Sequence, residues 1–539
     1  MTKSRVLIFL LALVPILYLI SLKNYFYYWD GVDTAYYLDH PSHRYILHPH
    51  HLIFAPFCYA VFTILNYLGY HRSSIHFLVT LNIIAGSFFL FTIYLVFARL
   101  FPKFKYGGLY GVYILTASYA FGTYLRNTDQ YIIPILLLSL IAFRILRNIR
   151  KGIFTVTILD WILFFIAIMF HQMAFFFLPA LIYAEFNSGR KGSYMVVVRN
   201  LILLLTASSA AYVLAFWISR PDATIQSFNF WFIGYLKNPF WIFSENRGFY
   251  NSFRVSLVES FSSHKALFLA PIDRITILRL PQYLEHRHDV LLSNMINNCI
   301  YAVLMVFLVM GLFITMFSRN YYTKISLFCL IWILPFLIFL QLFVPFQIFY
   351  RLYYILPLVI LILATIETLQ VKLYSRIFAI LFLVSFAAYN YYYGYLPESK
   401  PYNNPYLVLS KVIREQSGRN DLFIFPDQDY FYGKYLRYFG NREVAWIRKF
   451  PIEDYPDATK EQVRRINSDS LMYSKKYSRI FTPSYTDLKS GPFKIILLSG
   501  AEPEYLMVFP DQIHILRKKH FYNRVFYNMA FHDESIEEP

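Results

Sequence analysis

The chain has 539 residues, of which 57% are hydrophobic and 15% are charged, and its mean hydropathy is +0.43. So high an apolar content excludes an ordinary soluble protein and indicates an integral membrane protein. The net charge of +18 suggests nucleic acid as a partner, but the Lys and Arg residues lie in short connections between apolar segments, as membrane insertion requires, so no nucleic-acid partner is expected.

The apolar segments predict a mainly α, polytopic membrane helix bundle over residues 1–396. The first segment, residues 5–22, is predicted to stay as an anchor, because it can span ~30 Å of hydrocarbon and lacks a small-residue cleavage site. With the later windows, this gives about eleven spans. Those windows are 75–98, 108–125, 131–148, 154–170, 172–186, 200–218, 297–318, 325–345, 352–370 and 376–396.

One further apolar window, residues 51–70, is predicted to lie along the outer surface of the membrane. If it crossed, every later connection would be inverted; if it does not, the Lys and Arg clusters of the later connections face the cytoplasm together with Lys3 and Arg5. The predicted loop at residues 219–296 mixes aromatic residues with Lys and Arg, which is typical of interfacial helices. The regions placed outside are the loops 23–74, 126–130 and 219–296 and the tail after residue 397.

The tail, residues 397–539, has a different composition, with charged residues and Pro/Asn turns in place of apolar runs. Short β-rich pieces at 421–425, 443–447 and 494–500 alternate with helix-like segments. This pattern predicts a small, extracytoplasmic α/β soluble domain. It contains no Gly-rich phosphate loop and no Gly-x-Ser-x-Gly motif, so nucleotide binding or hydrolysis there is not supported.

Two carboxylates, Asp30 and Asp33, follow the first span in the sequence WDGVDTAYYL. Three residues apart, they share one face of a predicted short helix. A carboxylate at an aromatic-lined membrane mouth is partly desolvated, which favours the role of a general base. The alternative is that these residues cap the helix and keep the loop hydrated.

The next segment, HRYILHPHHLIFAPF, joins a His-Pro pair to the predicted surface helix. The order of a first span, an outward acidic helix, a His-Pro motif and an interfacial helix resembles the GT-C class of polyprenyl-phosphate-dependent glycosyltransferases, which includes protein O-mannosyltransferases and aminoarabinose transferases. The resemblance implies a GT-C-like fold and a catalytic base on the first outer loop, at Asp30 or Asp33. The acidic Asp-Glu dipeptide of the class is absent here, and His50-His51-Leu52 stands where Pro-Leu is usual.

Further residues are predicted to bind the donor or the acceptor. Asp129 in LRNTDQY matches a second acidic site of the class, and Arg126 beside it is expected to pair with Asp129 or with a lipid phosphate. Arg351 precedes a late predicted span, where its pattern with tyrosines and a proline resembles that of GT-C enzymes. The resemblance implies that Arg351 holds the donor phosphate; an interfacial anchor among tyrosines is the alternative. The remaining candidates are imidazoles, for which a structural role is the alternative: His48, His50, His51 and His171.

The resemblance implies inverting transfer of a sugar from a polyprenyl-phosphate donor to a glycan, lipid or protein acceptor on the outer face of a membrane. A bacterial inner membrane with the tail in the periplasm is expected, and an endoplasmic reticulum membrane with a luminal tail is physically equivalent. The histidine-rich loop also admits a divalent metal. Two other functions stay open, a transporter of a lipid-linked precursor, for which Asp160 is the main intramembrane ionisable residue, and a non-catalytic assembly factor. The imidazoles of the metal alternative are His40, His43, His48, His50 and His51.

Overall fold

The computed structural model of the chain is mostly helical and divides into two compact units. The membrane unit consists of Met1–Asn24 and Tyr37–Leu396, and the tail unit consists of Tyr25–Tyr36 and Pro397–Pro539. The residues that the structure describes are 17, 21–41, 46–101, 106–219, 228, 231–232, 253–254, 257–258, 261, 287–317, 321–342, 348–368, 383–401, 404–419, 421–426, 430–447, 479–484, 493–497 and 505–508.

Several predicted regions fall outside these residues. They include nearly all of the first span at 5–22, most of the long loop 219–296, the first part of the window 376–396, and His43.

The helices of the membrane unit follow the predicted windows closely. A first helix, α1, Trp29–Asp39, carries the acidic pair Asp30 and Asp33 and begins in the tail unit. The others, in chain order, are α2 Phe54–Tyr67, α3 Ser74–Leu100, α4 Gly107–Ala117, α5 Tyr119–Leu125, α6 Ile132–Ile145, α7 Ile158–Phe170, α8 Leu178–Phe186, α9 Ser193–Ser219, α10 Arg287–Phe317, α11 Tyr321–Leu342 and α12 Leu352–Thr368. Short 3₁₀ turns cover Leu146–Lys151, Gln172–Phe177 and Ile348–Arg351, and a π turn covers Tyr391–Tyr395.

Among the described residues, 5 helices are long and apolar enough to cross a membrane. They are Ser74–Leu100, Ile132–Lys151, Ser193–Ser219, Tyr321–Gln341 and Phe349–Thr368. Shorter apolar helices accompany them, including α2, which is predicted as a surface helix. The chain is therefore a multi-pass membrane protein of mainly α fold, and the number of about eleven spans stays a prediction.

Helix α12 forms the centre of the membrane unit. Its sequence is apolar on every side, and each residue from Leu352 to Thr365 is buried. It packs against α4, α6, α10 and α11. A helix that is apolar all round belongs in the interior of a bundle or against lipid. Helix α9 fits the position against lipid, because only 22% of its most apolar window is buried within the described part of the protein.

The window 108–125, predicted as one spanning helix, is divided into two helices in the structure. Helix α4 ends at Ala117 and α5 starts at Tyr119, because Ser118 has extended backbone angles (φ −70°, ψ 131°). Tyr395 Oη donates to the Ser118 carbonyl at 2.8 Å, and Asn390 Nδ2 donates to the Ala117 carbonyl at 2.7 Å. The break is therefore held by hydrogen bonds from side chains far along the chain.

Asp160 has a structural partner set at the start of α7. Its Oδ2 accepts hydrogen bonds from the backbone N–H and the hydroxyl of Thr157, at 2.7 and 2.8 Å, which completes a capping box. Arg144 Nε donates to its Oδ1 at 2.6 Å. Asp160, the residue on which the transporter alternative mainly depends, therefore has a structural role as a helix cap and ion-pair partner.

The described residues of the tail unit from 404 onward contain two helices and five strands. They are α13 Pro405–Gln416, β1 Asp421–Pro426, α14 Tyr430–Phe439, β2 Glu443–Ile447, β3 Arg479–Ser484, β4 Phe493–Leu497 and β5 Tyr505–Val508. The strands form one mixed sheet with the order β2-β1-β3-β4-β5. Strand β1 pairs in parallel with β2 and with β3, whereas β3 with β4 and β4 with β5 pair antiparallel. Helix α13 precedes β1, and α14 connects β1 to the parallel β2, as such a crossover requires.

The strand positions can be compared with the β-rich pieces of the sequence. Those at 421–425 and 443–447 coincide with β1 and β2, and the piece at 494–500 overlaps β4. The longer part of the tail unit begins at Pro397. The structure adds Tyr25–Tyr36 to the tail unit, a segment that the sequence places in the first outer loop.

Candidate functional site

The acidic pair lies in the tail unit, where it faces two cations of α14. Lys434 Nζ is 3.3 Å from Asp30 Oδ1 and 2.9 Å from Asp33 Oδ2. Arg437 Nη2 donates to Asp33 Oδ1. Lys434 thus bridges the two carboxylates, and both oxygens of Asp33 contact a cation.

The two carboxylates differ in what they offer to a substrate. The Asp30 side chain is 33% exposed, and that of Asp33 is 17% exposed. Among the described residues, Lys434 is the side-chain partner of Asp30 through Oδ1, and Oδ2 of Asp30 accepts no hydrogen bond. A general base needs a lone pair that is not already engaged, so the geometry favours Asp30 over Asp33 for that role.

The turn 126–130, predicted as an exposed outer turn, is buried within the membrane unit, with all five residues at most 2% exposed. Asn82, in the middle of the apolar helix α3, donates from Nδ2 to the carbonyls of Asn127 and Asp129, at 2.8 and 2.7 Å. Irregular backbone in a membrane protein is stable only where its polar groups find such partners. Asp129 is therefore carried on a rigid, enclosed turn.

Arg126 is fully buried, and its guanidinium contacts the protein at several points. Its Nε donates to the Gly122 carbonyl at 2.9 Å, and its Nη1 donates to the Leu22 carbonyl at 3.2 Å. The guanidinium carbon also lies 4.6 Å from the centre of the Tyr395 ring. A β-carbon at Gly122 would lie 2.1 Å from Tyr395 Oη, so glycine is required for this approach. These contacts indicate that Arg126 fixes the turn that carries Asp129.

The predicted imidazoles come together as a histidine cluster, which consists of His48, His50, His51 and His171. The His48 ring stacks on His51 at 4.4 Å and meets His50 edge-on at 4.7 Å, and His51 lies 6.5 Å from His171.

Backbone hydrogen bonds hold the His-Pro turn on the end of α7. Gln172 donates from its backbone N–H to the His50 carbonyl at 2.9 Å and from Nε2 to the Pro49 carbonyl at 2.7 Å. These two segments are 123 positions apart in the sequence, and the structure joins them.

Aromatic rings continue from the histidine cluster to the segment of Arg351. The Tyr131 ring is 4.8 Å from His171 and stacks on Phe349 at 4.5 Å, and His171 is 5.8 Å from Tyr353. Arg351 is completely buried in this segment. Tyr350, Tyr353 and Tyr354 are buried as well, so both predicted roles of Arg351, a cation for the donor phosphate and an anchor among tyrosines, stay predictions.

Two buried polar atoms near these rings lack a hydrogen bond from the described residues. They are Nδ1 of His51 and Oη of Tyr353. Buried polar groups in native proteins are normally satisfied. The histidine cluster, Tyr353 and the segment of Arg351 are called the polar centre of the membrane unit below.

The described residues contain no group of three or more His, Cys, Asp or Glu side chains arranged to hold a metal ion. His40 is exposed directly after the end of α1, and His43 lies outside the described part of the chain. The geometry at hand therefore assigns no ligand set to the divalent metal alternative.

Burial favours the neutral form of three imidazoles of the cluster, His50, His51 and His171. Desolvation, followed by repulsion from neighbouring imidazoles, lowers the pKa of His50 and His51 well below the usual value, and burial lowers the pKa of His171 to about 3. Nδ1 of His171 accepts a hydrogen bond from the Met173 N–H at 3.2 Å, as a neutral ring allows.

These shifts predict that acid destabilises the protein. An unfolded imidazole titrates near pH ~6.5, so between that pH and the depressed pKa values the unfolded chain binds more protons, and the free energy of unfolding falls as the pH falls. Thermal unfolding of the purified protein in detergent should therefore occur at lower temperature at pH 5 than at pH 7.5. A His171→Gln variant should show a smaller difference, and His40→Gln, at an exposed position, should keep the full difference. Equal pH dependence in wild type and His171→Gln would contradict this assignment.

Several residues that contact the acidic pair, the turn 126–130 or the histidine cluster were not predicted from the sequence. Asn82 had a usable signal, because a lone amide within a long apolar helix usually has a buried polar partner. Tyr131 and Tyr353 are indistinguishable in the sequence from the many tyrosines of the membrane interface. Lys434 and Arg437 lie in a different region from Asp30 and Asp33, and no local pattern pairs them.

Comparison with known proteins gives a match in structure and none in sequence. No protein-family model matches the chain, and no curated protein matches it. The crystal structure of ArnT from Cupriavidus metallidurans bound to undecaprenyl phosphate matches with a TM-score of 0.53 and 12% sequence identity, over 93% of this chain and 100% of that chain.

Two further solved structures are similar at lower scores. ArnT from the same organism in the apo state has a TM-score of 0.44 and 12% identity, over 93% of this chain and 99% of that chain. The archaeal oligosaccharyltransferase AglB from Archaeoglobus fulgidus, in complex with an inhibitory peptide and a dolichol-phosphate, has a TM-score of 0.47 and 12% identity, over 90% of this chain and 70% of that chain. The match to undecaprenyl-phosphate-bound ArnT confirms the predicted resemblance at the level of the fold: this chain has the GT-C membrane fold.

Proposed function

We propose that this protein is a membrane glycosyltransferase that moves a sugar from a polyprenyl-phosphate carrier to an acceptor on the outer face of the membrane, with inversion at the anomeric carbon. The observation that carries the proposal is the match of 93% of the chain to the fold of ArnT, whose structure contains undecaprenyl phosphate. The buried polar centre of the membrane unit supports it, since a lipid phosphate requires cationic and hydrogen-bonding groups away from water.

The donor phosphate is assigned to the centre around Arg351. A guanidinium binds a phosphate through two parallel hydrogen bonds, and Arg351 is completely buried. His51 Nδ1 and Tyr353 Oη are assigned to the same phosphate site, together with His48, His50 and His171 of the histidine cluster. The phosphate is itself a good leaving group, so its departure needs stabilisation of charge and does not need a second carboxylic acid, unlike glycoside hydrolysis.

The base is assigned to Asp30. An attacking hydroxyl or amine must lose a proton, and a carboxylate with an unengaged oxygen can accept it. Asp33 is assigned to holding the cations that face Asp30. Asp129, on its enclosed turn, is assigned to orienting the acceptor, and Arg126 to holding that turn.

The compartment follows from the distribution of charge in the connections. With the Lys and Arg clusters in the cytoplasm, the acidic pair and the tail lie on the outer face, which we assign to the periplasm of a bacterial inner membrane. The acceptor is then a glycan, a lipid or a protein exposed on that face.

The proposal is tested by turnover of a defined donor. Membranes of cells that express the full-length chain are supplied with undecaprenyl phosphate carrying a hexose, a pentose or an aminopentose, and the release of undecaprenyl phosphate is measured. Release from at least one donor, above membranes that lack the protein, is expected. Movement of the intact glycolipid between leaflets without any release would contradict the proposal in favour of a transporter.

A further inference from the structure

The contact between α14 and α1 has a matched spacing on both helices. Asp30 and Asp33 lie three residues apart on α1, and Lys434 and Arg437 lie three residues apart on α14, so each pair occupies one face of its helix. The four charges interlock, because Lys434 contacts both carboxylates while Arg437 contacts Asp33.

Additional contacts within the tail unit fix the segment that carries the acidic pair. Asn404 Nδ2 donates to the Tyr25 carbonyl at 2.7 Å, and Tyr435 Oη donates to the Tyr27 carbonyl. The guanidinium carbon of Arg437 lies 4.1 Å from the centre of the Tyr36 ring, one helical turn beyond Asp33. The tail therefore sets the orientation of α1 around its own axis.

Burial distinguishes Lys434 from an ordinary surface lysine. Its side chain is 2% exposed, and a buried ammonium is stable only when carboxylates or hydrogen-bond acceptors neutralise it. Arg437 holds Asp33 through Oδ1, and Asp33 in turn contacts Lys434 through Oδ2. The same ammonium of Lys434 contacts Oδ1 of Asp30. Oδ2 of Asp30 accepts no hydrogen bond from the described residues.

We propose that Lys434 is a positioning residue for sugar transfer: it holds the Asp30 carboxylate by one oxygen so that the other oxygen is directed at the acceptor. The inference rests on the proposed function and adds the tail domain to the catalytic machinery. In this arrangement Lys434 acts through Asp30 and touches no substrate.

The test is a double-mutant cycle on the full-length chain in nanodiscs, using the undecaprenyl-phosphate sugar that the wild type consumes and an extract of the membranes as acceptor. Lys434→Met is expected to lower kcat about 100-fold, the size of effect that misplacement of a reacting group by about 1 Å produces, with KM for the donor nearly unchanged. Lys434→Arg, which keeps the charge, should recover most of the loss. Lys411→Met, at an exposed lysine of α13, should match the wild type.

The cycle separates positioning from a structural role. In an Asp30→Asn background, Lys434→Met should cause no further loss of kcat, because the two residues act as one unit. Losses that multiply, or a kcat per folded molecule that Lys434→Met leaves unchanged, would overturn the inference while leaving the proposed function intact. Full activity of Asp30→Asn would instead overturn the assignment of the base, and with it the proposed function as stated.

Discussion

Replacing Asp30 by Asn is expected to lower kcat for sugar transfer about 10²- to 10⁴-fold, the contribution that a positioned general base usually makes. Asn keeps the size and one oxygen of the side chain but cannot accept the acceptor proton. The Oδ2 atom of Asp30 is unengaged among the described residues, whereas both oxygens of Asp33 contact cations. KM for the polyprenyl-phosphate donor should change little, because the base contacts the acceptor.

Two variants of α1 serve as controls for this result. Asp39→Asn alters an exposed carboxylate on the same helix, where Asp39 accepts a hydrogen bond from Ser74, and should retain wild-type kcat. Asp33→Asn should have a smaller effect than Asp30→Asn, since Lys434 still contacts Asp30. If Asp33→Asn abolished transfer and Asp30→Asn did not, the two roles would have to be exchanged. Normal transfer by both would remove the acidic pair from the reaction.

Replacing Arg351 by Gln is expected to weaken the binding of undecaprenyl phosphate about 10- to 100-fold, because hydrogen bonds to a charged group contribute about 1.5–3 kcal/mol each. Arg351 is completely buried, so its interaction with a phosphate would be little screened by water or salt. Arg351→Lys should fall between Gln and wild type, since an ammonium keeps the charge but not the planar fork. Binding is measured by titrating undecaprenyl phosphate into the nanodisc-embedded protein.

A loss of folding is distinguished from a loss of binding by two further measurements. The thermal unfolding temperature of each variant is determined without lipid, and only variants that remain folded are compared. Arg72→Gln, at an exposed position before α3, controls for the change in net charge and should bind as the wild type does. Unchanged affinity in folded Arg351→Gln would remove Arg351 from the donor site.

The long apolar helices could be predicted from the sequence because their positions follow from composition. The window 75–98 corresponds to α3 at Ser74–Leu100, and 352–370 corresponds to α12 at Leu352–Thr368. The cost of placing a polar group in hydrocarbon is a property of each residue and its neighbours. The break at Ser118 could not be found in this way, because Tyr395 and Asn390 stabilise it from more than 270 positions away.

The site was predictable as a set of residue types and not as an arrangement. The resemblance to GT-C enzymes selected the acidic pair, Asp129 and the imidazoles, and the structure brings the four imidazoles into one cluster. It also shows what the sequence left open, namely which carboxylate retains an unengaged oxygen. That difference depends on Lys434, which is 404 positions from Asp30.

The sequence by itself determined that this is a multi-pass membrane protein with a compositionally distinct tail, because hydropathy and charge act locally along the chain. Only the tertiary structure decided that Asp30 and Asp33 are bridged by a buried lysine, that the turn 126–130 is enclosed, and that the histidine cluster adjoins the segment of Arg351. Ion pairs and ring contacts depend on which distant segments the fold brings within a few ångströms of each other, and no local pattern encodes that distance.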